Sequence, residues 1–164
     1  MAIETHPYWK LFKPSACATS LRGSDQESIF AEIASNLVKA KELPGELEAP
    51  AVQALVERER LASTGVGLAV AVPHVKLDGL ARAALSLSIH ATGVEWRAID
   101  SQPVRLVFTV LRPAGETDQH DPERHLDMMR WISRLARHDD FRNFAVRAST
   151  KKELVDLLRE MSAV

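Results

Sequence analysis

Apolar positions along this chain follow a helical period in some stretches and a strand-like period in others. Ile29, Phe30, Ile33, Leu37 and Val38 fall on one stripe of a helix. Ser24-Asp25-Gln26-Glu27 ahead of them reads as a capping box, and Lys39 and Lys41 suit the negative end of the helix dipole. Leu43-Pro44-Gly45 breaks the element. A second helix is predicted from about Leu47 to Arg60, with Val52, Leu55 and Val56 as its apolar face. Ser63 to His74 then holds a polar turn, two close glycines and a short apolar run. That run predicts one buried strand ended by Pro73, with His74 just past it and Val75 to Gly79 as a loop.

Ala83 to Ala91 alternates imperfectly and predicts a strand; Gly93 to Trp96 predicts a turn. Val104 to Leu111 is β-branched and aromatic enough for an interior strand, closed by Arg112-Pro113-Ala114-Gly115. Asp121-Pro122 reads as an N-cap followed by a first-turn proline, opening a helix from Glu123 to Arg137 with Leu126, Met129, Ile132, Leu135 and Ala136 on its apolar side. Asp139 to Phe144 reads as a short helical turn, and Ala145 and Val146 as the start of another short strand. Thr150 and Glu153 form a second capping box ahead of a final helix carrying Leu154, Val155, Leu157, Leu158 and Met161. Met1 to Pro14 reads as irregular, tied to the body by Leu11 and Phe12, and Cys17 to Leu21 as a short edge strand. Interleaved helices and strands without a composition break predict one α/β domain over residues 1–164, helices packed on a mixed sheet.

Composition narrows the function. The 164 residues are 46% hydrophobic and carry a formal net charge of −1, so a core is affordable and general nucleic-acid binding is unsupported. One cysteine excludes an intrachain disulfide and a cysteine metal cluster, and Cys17 reads as a small buried hydrophobe. There is no secretory-type N-terminus and no run of about 18 apolar residues, so a cytoplasmic protein without stable membrane insertion is expected.

P-loop, Gly-x-Ser-x-Gly and His-Glu-x-x-His patterns are absent. Of six histidines, His6, His90 and His138 read as surface or structural groups. His120 and His125, with Asp118 and Asp121, match no common metal spacing, so no metal site is expected. His74 stands apart: it follows a proline at a strand end, where a packed strand can hold a reactive ring still. The charged run Glu57 to Arg60 reads mostly as a solvated helix end, with one arginine free to turn toward His74.

Ser63-Thr64-Gly65-Val66-Gly67 followed by Ala71-Val72-Pro73-His74 resembles the active-site stretch of the phosphotransferase-system EIIA family, fructose/mannitol type, nearest its nitrogen-regulatory branch. Val56 to Glu59, Gly93 to Trp96, Pro103 to Pro113 and His125-Leu126-x-x-Met129 fit the family in the same order, so the likeness covers about residues 12–160. The family pattern has smaller or more polar residues at the places of Leu68 and Ala69, and glycine at that of Val75. The resemblance implies an α/β sandwich with a mixed sheet flanked by helices. It implies His74 as phosphoacceptor, His125 as the second histidine stabilising the phosphoryl group, and Arg58, Ser63 and Thr64 as phosphate-binding residues. It implies no cofactor, and as partners a histidine phosphocarrier protein and either a regulatory target or EIIB. With no fused EIIB or transport segment in the chain, a regulatory phosphoryl carrier is expected. A sugar-transport EIIA and a non-catalytic interaction module of the same fold are the alternatives.

Overall fold

A computed structural model describes residues 6–163. Its sheet is built around the strand that the sequence marks most clearly. This strand, β5 (Val104–Pro113), is apolar on both faces because helices cover both. On one side it pairs antiparallel with β4 (Ala84–Val94). On the other it pairs in parallel with two short strands placed end to end, β2 (Val70–Ala71) and β3 (His74–Leu77). β1 (Gly65–Gly67) lies antiparallel to β2. α1 (Gln26–Lys39) and α2 (Glu48–Leu61) cover one face, with Phe30, Ile33, Leu37, Leu55 and Trp96 in its core. α3 (Pro122–Ala136), α4 (Asp139–Arg147) and α5 (Lys151–Glu160) accompany the opposite core, which holds Phe12, Phe108, Trp131, Leu135, Phe141 and Leu158.

Several elements differ from the sequence-based expectation. The cap of α1 is Asp25, not Ser24: its carboxylate accepts from Ser28 N at 2.8 Å while Ser28 Oγ accepts from Asp25 N at 3.2 Å. Thr150 Oγ1 caps α5 through Glu153 N, but the Glu153 carboxylate turns to Ser149 instead of closing the box. Ala145 and Val146 belong to α4, not to a strand, because Phe141 and Ala145 share its buried side. The buried side of α3 is rotated: Met128, Trp131, Ile132 and Leu135 face inward with His125, and Leu126 is 54% exposed. The edge strand expected at Cys17 to Leu21 is reduced to an isolated bridge, Ala18 to Ser88, plus Leu21 N donating to Ile89 O. Cys17 forms no disulfide, and burial holds its thiol up at about 11. Met1 to Thr5 of the expected irregular terminus lie outside the described residues; beyond them Tyr8 and Phe12 are buried.

The stretch before His74 is a hairpin, not one strand. Gly67, Leu68 and Ala69 have φ of +90°, +58° and +64°, so the chain reverses between β1 and β2. A two-residue connection with both residues left-handed matches strand twist but normally uses Asn-Gly, since a Cβ there is strained by about 1–2 kcal/mol. Asp100 Oδ2 accepts from Leu68 N at 2.9 Å and pins the turn to the β4–β5 connection. Replacing Leu68 by asparagine together with Ala69 by glycine is expected to raise stability by about 1 kcal/mol, read as a higher urea midpoint at unchanged slope.

Pro73 interrupts the strand without ending it. It lacks an N–H, but its carbonyl still accepts from Val110 N at 2.9 Å, so pairing resumes at His74. The expected loop after His74 is therefore β3, and His74 is its first residue.

Candidate phosphohistidine site

His74 and Lys76 point to the α3 face of the sheet, because Val75 and Leu77 fill the opposite core. Across the gap, Asp121 caps α3 by accepting from Glu123 N and Arg124 N, with Pro122 in the first turn. That places His125 on the buried side of the helix. The two rings meet with Nε2 atoms 3.1 Å apart, stacked at a centroid separation of 5.2 Å. His120 also packs on His125, its ring centroid again 5.2 Å away, edge to face.

Burial pushes the His74 imidazole below its ordinary value, and the charges of Arg112, Arg58 and Lys76 add to the effect. His125 is pushed down to about 4, first by burial, then by His74, Arg112 and His120. Both rings are therefore neutral at pH 7: one nitrogen of each donates and the other accepts. The Nε2 pair needs one donor and one acceptor, so the two tautomers are linked.

These depressed values make stability depend on pH. In the unfolded chain a histidine titrates near 6.5. Between that value and about 4 the unfolded chain binds more protons at His125 than the native protein does. The contribution is complete above pH 6.5 and is lost as pH falls toward 4. By pH 5 the loss is about 1–2 kcal/mol, allowing for water at the open edge of the site. Urea denaturation at pH 7 and pH 5 should show it in the wild type and a smaller change in His125→Asn.

The remaining sequence-predicted residues divide. Arg58 ends α2 with Nη1 donating to the Ala62 carbonyl at 2.7 Å, while its charge reaches His74. Ser63 and Thr64 are engaged elsewhere. Ser63 Oγ donates to the Trp96 carbonyl and accepts from Gly65 N, both at 3.1 Å. Thr64 Oγ1 donates to Glu59 and accepts from Trp96 Nε1. Glu59, Thr64 and Trp96 thus form one buckle joining the end of α2 to the start of β1. Gly65 completes it by close approach: a Cβ there would sit 2.7 Å from Ala98 Cβ.

Sequence reasoning missed Arg112 and gave His120 no part in the His74 site. Lys76 pairs with Arg112 across β3 and β5, which carries the Arg112 side chain to the His74 face. Only the parallel register reveals this. A cleft of about 420 Å³, lined by Tyr8, Arg82, His120, Arg124, His125 and Met128 among others, opens on the His125 side of the pair. Among the described residues no group of three or more His, Cys, Asp or Glu side chains is arranged to hold a metal ion, and no helix is long and apolar enough to cross a membrane.

Comparison with known proteins bears on the fold and the family. A nitrogen regulatory protein of Pseudomonas aeruginosa is 32% identical over 151 residues, spanning 91% of this chain and 92% of its own. The fructose-specific EIIA component of Haloferax volcanii is 34% identical over 111 residues, 68% of this chain and 69% of its own. The crystal structure of nitrogen regulatory protein IIA-Ntr from Neisseria meningitidis shares the fold, with a TM-score of 0.75 at 23% identity over 92% of this chain and 98% of that one. A mixed sheet between two helical layers and a match to the family model over residues 10–161 agree: the chain belongs to the EIIA 2 family of the phosphoenolpyruvate-dependent sugar phosphotransferase system.

Proposed function

We propose that His74 accepts a phosphoryl group from the phosphohistidine of a histidine phosphocarrier protein, and that the phosphorylated state acts in the cytoplasm by regulating protein partners. The observation that supports this most is the 3.1 Å approach of the two Nε2 atoms. A neutral His74 offers a nucleophilic lone pair at Nε2, and His125 supplies an adjacent N–H. In the step, the Nε2 lone pair forms the new N–P bond. The donor's N–P bond breaks, and its electron pair returns to the donor imidazole. The donor ring takes up one proton, balanced by the one released from His74 Nδ1. As the group arrives, the His125 N–H turns from His74 Nε2 to a phosphoryl oxygen, and Arg58 offsets the developing charge. Ser63 and Thr64 contribute by fixing β1 and the approach to His74. No cofactor enters the step.

The regulatory reading draws on the nitrogen regulatory relative, which is similar over nearly the whole chain. A second reading, transfer onward to EIIB, draws on the fructose-specific relative. Incubation with labelled phosphoenolpyruvate, the general first enzyme and cognate carrier should give one equivalent of acid-labile phosphate. A folded sample that takes up none would favour a non-catalytic interaction module. Mixing the labelled protein with EIIB domains then separates the two active readings: loss of label to EIIB indicates sugar transport, and its retention indicates regulation.

A further inference from the structure

Two arginine charges bear on His74, and they are differently engaged. Arg58 holds a carbonyl at its own helix end. Arg112 forms no ion pair among the described residues, and its Nε is buried without a hydrogen-bond partner. A guanidinium has five donors, and leaving one buried and unmade costs free energy. A purely structural arginine in this position would be expected to reach a carbonyl or carboxylate. Beside it, His120 Nε2 is likewise buried and unpartnered.

Register fixes where Arg112 points. His74 pairs with Val110 and Lys76 with Arg112, so Arg112 lies one strand over and two residues along from His74 on the same face. Strand spacing and rise put the two Cα atoms about 8 Å apart, within reach of an extended arginine. Its charge lowers the titration of His74, His120 and His125 alike, which agrees with a place among the three rings. That charge also disfavours a cation there. What suits an unpaired planar donor set beside a nucleophilic nitrogen is a dianionic group bound bidentately.

We propose that Arg112 is a second phosphoryl-binding arginine of the His74 site, contacting the transferred group from β5 while Arg58 faces it from the end of α2. This assignment rests on His74 as the acceptor. In the phosphorylated protein the Arg112 fork takes two phosphoryl oxygens, and His125 takes the third. The group is then held against return to the carrier and against attack by water.

The test compares wild type with Arg112→Gln and Arg112→Lys. With first enzyme, carrier and labelled phosphoenolpyruvate, Arg112→Gln should accept phosphate at least tenfold more slowly. Its isolated phosphoprotein should hydrolyse several-fold faster, with Arg112→Lys intermediate. Histidine NMR titration, with Arg58, Lys76 and His120 unchanged, should place His74 and His125 higher in Arg112→Gln. Inorganic phosphate should shift their signals in wild type and not in this variant. Wild-type transfer rate and phosphoprotein lifetime in a folded Arg112→Gln would overturn the role of Arg112 and leave His74 as acceptor. Failure of the wild type to take label would overturn the acceptor reading; the phosphate-induced shifts would then decide whether Arg112 binds the anion. Should Arg112→Gln not fold, wild-type behaviour of Arg112→Lys in rate, lifetime and phosphate response would overturn the bidentate role.

Discussion

His74→Ala is expected to lose phosphoryl acceptance entirely, by more than about a thousandfold in rate. No other side chain can take over. His125 is the nearest imidazole, but it is buried at 6% exposure and held down to about 4 by burial and its neighbours. Its ring is enclosed by two others, stacking on His74 and meeting His120 edge to face. His125→Ala should therefore behave differently: the acceptor remains, the N–H to the phosphoryl oxygen is gone, and the rate falls by about a hundredfold or more. Acid-labile labelling of both variants checks the roles. Stoichiometric label in His74→Ala with none in His125→Ala would exchange them. The rate of wild-type acceptance should also hold below pH 6.5, because burial, with the Arg112, Arg58 and Lys76 charges, keeps His74 unprotonated below its ordinary value.

The largest effect on stability is expected at Glu59. Its carboxylate accepts from Thr64 N at 3.2 Å, Thr64 Oγ1, Trp96 Nε1 at 3.3 Å and Gln26 Nε2 at 3.4 Å. Thr64 is 7% exposed, so its N–H and O–H have little access to water if the acceptor is removed, whereas Trp96 Nε1 still has Thr64 Oγ1 at 3.2 Å. Each buried donor left unmade costs about 1–3 kcal/mol, and partial solvent access at Glu59 itself reduces the sum. Glu59→Ala should lose about 3 kcal/mol, and Glu59→Gln, which keeps one acceptor oxygen, about half of that. Urea denaturation reads both. The loss should be accompanied by slower phosphoryl acceptance, because the same buckle fixes the start of β1. Unchanged stability in Glu59→Ala would mean that the buckle contributes nothing to the fold.

What can be read from residues alone follows from what each signal needs. Strand β5 and helices α1, α2 and α5 declare themselves by apolar period and breakers, with no knowledge of neighbours. The buried side of α3 escapes such a reading because His125 occupies an inward position that an apolar pattern assigns to Leu126. The hairpin before His74 is hidden because Leu68 and Ala69 adopt a backbone region in which neither residue is expected. Resumption of the strand after Pro73 is hidden because it depends on parallel pairing with β5, which local sequence does not encode. His74 stands out by position, while His125, Arg58, Ser63 and Thr64 are reached through family resemblance. Arg112 stays invisible because only register brings it beside His74.

The chain has three tryptophans, and their surroundings give each indole N–H a separate identity. Trp96 donates into the Glu59–Thr64 buckle, Trp131 donates to the Ser162 carbonyl near the C-terminal end, and Trp9 is half-buried beside Lys10 and Arg159. A ¹H–¹⁵N spectrum should therefore contain one indole signal that reports the strand leading to His74 and two that report the other face of the sheet. During phosphoryl loading or acid titration, displacement of the Trp96 signal alone would time local rearrangement at the site, whereas joint collapse of all three would mark global unfolding. The buckle thus supplies an internal clock for the chemistry without any added label on the reacting residues.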